Sequence, residues 1–283
     1  MLRIPSPLVD VNWLHDNLRA TELIVLDASV PPVVPGYESL NSEESFQAIS
    51  GARHFDYDTK ICLQDSSLPH MMPGADLFQE EVRKLGINND SVIVIYDDVG
   101  LYSSPRAWWM LRAMGHDQVA VLNGGLRAWI AAGFATTDSL QLNSTPGNFE
   151  ANYDEDSFCD FSVVLSSIDD SSCTILDARS SGRFYGTAPE PRAGIRGGHM
   201  PNARNLPFPK LLNEGSMKPV AELIEIFNEF ITDDERLITS CGSGLTACIL
   251  TFAAYLAGHR NHSVYDGSWT EWGAPSKLPV VTD

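Results

Sequence analysis

Short unbroken apolar runs recur along the chain, separated by longer stretches with helical spacing. Ile24-Val25-Leu26-Asp27, Val92 to Asp97, Thr174-Ile175-Leu176-Asp177 and Leu237-Ile238-Thr239-Ser240 are too short for helices and combine apolar with β-prone residues. That is the pattern of strands buried on both faces. Pro105 to Met114, Val220 to Phe230 and Thr246 to Ala257 read as helices, the last one closed by Gly258. Strand runs alternating with helical runs predict an α/β fold in which a mostly parallel sheet carries helices on both faces.

The pattern occurs twice. Ile24 to Ala28 returns as Thr174 to Ala178, displaced by 150 positions, and the echo continues in order. Gly51-Ala52-Arg53 answers Asn202-Ala203-Arg204, Val92 to Asp97 answers Leu237 to Cys241, and Gly115-His116 answers Gly258-His259. Gly124 with Trp129 answers Gly267 with Trp272 at a common offset of 143. The sequence thus predicts a duplicated domain, 1–140 and 161–283, joined by a polar linker at 141–160 rich in Ser, Asn, Asp and Gly. A length of 283 residues suits two such domains.

Composition narrows the function. A formal charge of −18 repels phosphate backbones and argues against nucleic-acid binding. No apolar run approaches the roughly 20 residues of a membrane helix, so no membrane partner is expected. The five cysteines are odd in number and contain no Cys-x-x-Cys, so neither a disulfide framework nor a metal site is indicated, and no cofactor is implied. A reducing compartment fits: cytoplasm, with the mitochondrion as an alternative, although Asp10 and Asp16 do not suit a transit peptide. Against the acidic background stands a basic island. Between Ala178 and Asn213 the only acid is Glu190, while Arg179, Arg183, Arg192, Arg196, Arg204 and Lys210 all fall there. Such an island suits a small anionic ligand, or else forms a solvated face.

Cys241 is the candidate reactive group. It follows a predicted strand and opens the turn Gly242-Ser243-Gly244-Leu245-Thr246-Ala247 ahead of a predicted helix. Loop N–H groups and a helix N-terminus would surround the sulfur and hold an anion without any metal. The bland alternative is a small buried hydrophobe in a tight turn. The repeat bears on the choice, because it places Asp97 opposite Cys241, and Asp98-Val99-Gly100-Leu101 looks unlike a glycine-rich cradle. One half carries the nucleophile and the other does not, at the carboxyl end of a strand where α/β sheets bind ligands.

The chain resembles the tandem-domain rhodanese family of sulfurtransferases over nearly its whole length. The resemblance rests on Asp177-Ala178-Arg179, Gly182-Arg183-Phe184, Glu190 to Ile195, Gly198 to Ala203, the Cys241 loop and Tyr265 to Trp269 with Glu271-Trp272. In the first half it rests on Gly100 to Arg106 and Trp108-Trp109-Met110. It implies two tandem rhodanese-like domains and a ping-pong reaction through a persulfide on Cys241. Arg183 and Arg192 match arginines that bind the donor's carboxylate and carbonyl, and Gly242, Ser243, Gly244, Leu245 and Thr246 form the loop around it. The implied partners are a small anionic sulfur donor and an acceptor such as thioredoxin, another thiol or cyanide.

Loop composition separates the branches of that family. Thiosulfate users carry basic residues after the cysteine, whereas Gly242 and Ser243 are neutral, so the resemblance favours 3-mercaptopyruvate, with thiosulfate as the alternative donor. Rhodanese-like phosphatases close a longer loop on an arginine that Thr246 and Ala247 do not supply. The chain departs from the pattern at Ala48, where the family has a histidine proposed to relay protons through the loop serine. A weakly active module that binds partners through its acidic surface is the competing reading. His54 receives no catalytic role, and His70, His116 and His199 read as structural.

Overall fold

The computed structural model describes residues 2–42, 44–142, 145–232 and 235–282, and divides them into two compact units. The first comprises Met1–Gln64, Met72–Asp154 and Glu214–Met217; the second takes Asp65–Met71, Glu155–Asn213 and Lys218–Asp283. No helix among the described residues is long and apolar enough to cross a membrane.

In chain order the first half contains β1 (Leu8–Val9), α1 (Val11–Asn17), β2 (Leu23–Asp27), β3 (Ala48–Ile49), β4 (Arg53–His54) and α2 (Ala75–Lys84). It continues with β5 (Val92–Tyr96), α3 (Ser104–Ala113), β6 (Val119–Leu122), α4 (Gly125–Ala131) and β7 (Thr136–Thr137). The second half contains β8 (Phe158–Cys159), α5 (Phe161–Ser167), β9 (Cys173–Asp177), α6 (Ser181–Phe184) and β10 (Arg204–Asn205). A hairpin of β11 (Leu212–Asn213) and β12 (Ser216–Met217) precedes α7 (Val220–Asn228), β13 (Arg236–Ser240), α8 (Ala247–Ala257), β14 (His262–Tyr265) and α9 (Ser268–Trp272). The fold is α/β, with one mostly parallel arrangement of strands in each half, as expected.

Each half builds a five-stranded sheet, ordered β1-β6-β5-β2-β4 in the first and β8-β14-β13-β9-β10 in the second. Every pairing in both is parallel. The repeat is kept in register. Asp27 pairs with Tyr96 and Asp177 with Ser240, so Asp97 and Cys241 each emerge from the central strand of their sheet. Residues of alternate parity on β2, β5 and β6, such as Val25, Val94 and Ala120, pack with Leu14, Leu126 and Trp129 on one face. Ile175, Ile238 and Tyr265 pack with Val164, Trp269 and Trp272 in the second unit. The opposite faces lie beneath α3 and α8. Burial on both sides explains why these strands read as unbroken apolar runs.

The echo extends to the caps. Gly115 and Gly258 both take left-handed φ, at 86° and 108°, and the following His116 and His259 donate their N–H to Leu111 and Ala254 carbonyls. Each helix is thereby closed by a left-handed residue. Arg53 donates to the Leu85 carbonyl at the end of α2, and Arg204 to Glu229 and Phe230 carbonyls at the end of α7. Trp129 and Trp272 each donate their ring N–H to a loop carbonyl, of Ala135 and Pro279.

Candidate active site

Cys241 leaves β13 and is 2% exposed. Its N–H donates to Ser268 Oγ at 3.1 Å, and its carbonyl accepts from Trp269 N at 3.0 Å. Gly242 carbonyl accepts from the N–H and the hydroxyl of Thr270, so the start of α9 clamps the start of the loop. The chain then turns through Gly244 at φ 75° and enters α8 at Ala247, with Thr246 as its N-cap. Ser243, Leu245 and Thr246 are buried. Among the described residues, the N–H groups of Ser243, Leu245, Thr246 and Ala247 have no protein acceptor.

The first unit shows what such a loop can hold. Asp97, fully buried, accepts at Oδ1 from the N–H groups of Val99 (3.1 Å) and Gly100 (2.9 Å). Its Oδ2 accepts from the N–H groups of Tyr102, Ser103 and Ser104 at 2.9–3.0 Å, and from Ser104 Oγ at 2.6 Å. The loop is not glycine-rich, as expected, yet it forms a cradle all the same. The nest exists, and the chain's own carboxylate fills it. Backbone N–H groups make the nest, so its presence did not depend on the glycine content from which it was judged.

The basic island separates in space. Arg196 donates to the carbonyls of Trp272, Gly273 and Leu278, and Arg204 to those at the end of α7. Arg179 is fully buried between Asp177 and Glu190 and lies over the Trp269 ring at 4.1 Å. Arg183 and Arg192 reach the loop at Gly242. A Cβ built on Gly242 would stand 3.1 Å from Arg183 Nη2 and 3.9 Å from Arg192 Nη1. A side chain at position 242 would therefore push Arg183 aside. Arg183 spends Nε and Nη2 on Glu190 Oε2, whereas Arg192 has no partner among the described residues.

The other thiols are less suited to reaction. Burial raises those of Cys62 and Cys173 and pushes Cys159 up to about 12. Cys248 Sγ donates to the Gly244 carbonyl at 3.2 Å. His199 Nδ1 bonds the Phe184 carbonyl at 3.0 Å with its ring stacked on Phe184, and His116 Nε2 bonds the Ser91 carbonyl, both structural arrangements.

The Rhodanese-like domain profile matches residues 10–132 and 161–275. The chain belongs to the rhodanese family. It is 38% identical over 299 residues to thiosulfate/3-mercaptopyruvate sulfurtransferase 1, mitochondrial, of Arabidopsis thaliana, an alignment that covers 97% of this chain and 78% of the relative. It is 36% identical over 280 residues to the 3-mercaptopyruvate sulfurtransferase of Escherichia coli K12, covering 96% of each. The crystal structure of SseA from Escherichia coli superposes with a TM-score of 0.79 at 32% identity, covering 93% of this chain and 99% of that one. This rhodanese is a sulfur-transferring enzyme.

Two contributors were not singled out from the sequence. Ser268 sits at φ 48°, an unfavourable conformation for a residue with a Cβ, and its hydroxyl accepts from Cys241 N and donates to the Tyr265 carbonyl. Its counterpart at the offset of 143 is Gly125, at φ 56°. A serine where the repeat has glycine was the available signal. Glu190, in sequence the acid inside the island and the first residue of a family-like run, is a buried bridge between two of its arginines.

Proposed function

We propose that this sulfurtransferase takes its sulfur from 3-mercaptopyruvate through a persulfide on Cys241 and passes it to a thiol such as thioredoxin, or to cyanide. The observation that carries the donor assignment is the convergence of Arg183 and Arg192 on Gly242 beside Cys241, in a loop whose own residues are uncharged. Two guanidinium forks suit the carboxylate and carbonyl of a planar α-keto acid. The Cys241 thiolate attacks the donor sulfur, the carbon–sulfur bond breaks, and its electron pair passes to carbon as the enolate of pyruvate. The arginines stabilise that developing oxyanion. The donor's thiol proton moves to carbon, pyruvate leaves, and Cys241 holds an anionic outer sulfur. The unspent N–H groups of Ser243, Leu245, Thr246 and Ala247 are donors for this anion, as the matching loop is for the Asp97 carboxylate. The acceptor thiolate then attacks the outer sulfur and regenerates Cys241.

The catalytic domain in this reading is 161–283, after a linker at 141–160, and the domain at 1–140 lacks the nucleophile. We assign the protein to the cytosol, with the mitochondrion as the alternative. The test of the donor is steady-state kinetics with 3-mercaptopyruvate and thiosulfate. A larger kcat/KM for 3-mercaptopyruvate is expected, and a larger value for thiosulfate would overturn the assignment.

A further inference from the structure

The charge that reaches the Cys241 loop is less than its two arginines suggest. Glu190, with its side chain 4% exposed, accepts at Oε2 from Arg183 Nε (3.0 Å) and Nη2 (2.5 Å). Its Oε1 accepts from Arg179 Nη1 at 2.7 Å. Arg179 in turn donates Nε and Nη2 to Asp177, and Nη2 also to the Gly198 carbonyl. Asp177, Arg179, Glu190 and Arg183 thus form a buried row of alternating sign that ends at Gly242. Two guanidiniums cancel two carboxylates, and of these five groups Arg192 alone is left uncompensated. The bonds also fix geometry: Glu190 grips the Nε/Nη2 edge of Arg183 and leaves Nη1 unspent among the described residues.

We propose that Glu190 is a donor-specificity residue, which cancels one unit of positive charge behind Arg183 and so matches the site to a monoanionic α-keto acid rather than dianionic thiosulfate. This rests on the reading of Arg183 and Arg192 as the donor clamp. A neutral residue at 190 would leave two uncompensated units. At an effective dielectric of about 20, an added unit charge a few Å away changes affinity by at least about tenfold for each unit charge on the ligand. A dianion gains twice what a monoanion gains.

The experiment measures kcat/KM for 3-mercaptopyruvate and thiosulfate in the full-length protein and in Glu190→Gln and Glu190→Asp. The glutamine variant removes the charge; the aspartate variant keeps it and loosens the fit. The proposal expects the thiosulfate to 3-mercaptopyruvate ratio to rise about tenfold or more in Glu190→Gln and to stay within about twofold in Glu190→Asp, whatever happens to the absolute rates. A merely structural Glu190 would lower both rates in both variants at a constant ratio, and that result overturns the proposal. If Glu190→Gln fails to fold, the wild-type protein decides by competitive inhibition with pyruvate and oxalate. One uncompensated unit favours oxalate over pyruvate by about tenfold and two units by about a hundredfold, so a preference near tenfold is expected and one of a hundredfold or more is contrary. A wild-type protein that loads sulfur on Cys241 from neither donor would overturn the donor reading itself, separately from the role of Glu190.

Discussion

Replacing Asp97 by asparagine tests whether the first-unit loop is organised around an internal anion. The carboxylate is fully buried and accepts six hydrogen bonds, four at Oδ2 and two at Oδ1. Asparagine offers one oxygen. With that oxygen at the four-donor position, its NH2 faces the N–H groups of Val99 and Gly100, which lose their acceptor. Each unsatisfied buried donor costs about 1–3 kcal/mol, so Asp97→Asn should cost about 2–6 kcal/mol. Against the roughly 5–15 kcal/mol that holds a domain together, that loss is severe. Urea unfolding followed by tryptophan fluorescence measures it, since Trp108 and Trp109 lie on α3, which the loop enters. Hydrogen exchange across residues 97–104 should show the loop N–H groups losing protection. Asp97→Gly leaves the carboxylate's place open, and formate should then restore about 1.4 kcal/mol at tenfold its Kd, while neutral formamide restores none. A cost for Asp97→Asn below about 1 kcal/mol, with formate and formamide indistinguishable, would refute the reasoning.

Three further outcomes follow from the site. Arg183→Lys and Arg192→Lys keep the charge and lose the fork, so each should cost about 1.5–3 kcal/mol of transition-state stabilisation, a fall of roughly 10- to 150-fold in kcat/KM for 3-mercaptopyruvate, and full activity in both would remove them from the clamp. Ser268→Ala keeps the strained φ and loses both hydroxyl bonds, whereas Ser268→Gly loses the bonds and the strain; the alanine variant should be about 1–2 kcal/mol less stable than the glycine one in urea, with activity reduced in both. Burial lowers the pKa of His116 below its ordinary value, so its neutral form stabilises the fold above about pH 6.5 and that contribution is lost as pH falls towards the lowered pKa. His116→Gln should therefore flatten the fall in Tm between about pH 7 and 5, and an unchanged slope would contradict this.

Much of this architecture was legible because parallel strands buried on both faces leave apolar runs that are hard to mistake, and because a duplicated chain provides its own alignment. The pairings of Arg53 with Arg204 and of Asp97 with Cys241, read as sequence offsets, became matching register positions in the two sheets. Side-chain partners were less legible. Six basic residues close in sequence went to different places, because carbonyls at two helix ends drew Arg196 and Arg204 while two carboxylates held Arg179. The Asp97 nest was invisible for another reason: its donors are backbone groups, which no residue type announces. Ser268 required knowledge of φ, for which its glycine counterpart was the indirect sign.

The central claim is that sulfur passes through Cys241, and the most direct measurement is peptide mass spectrometry after brief mixing of the purified protein with 3-mercaptopyruvate. The account predicts a gain of one sulfur atom on the peptide that carries Cys241, release of an equivalent of pyruvate, and loss of both in Cys241→Ser, with Cys62, Cys159, Cys173 and Cys248 dispensable. Sulfur on another cysteine, or pyruvate released with no sulfur on Cys241, would contradict it.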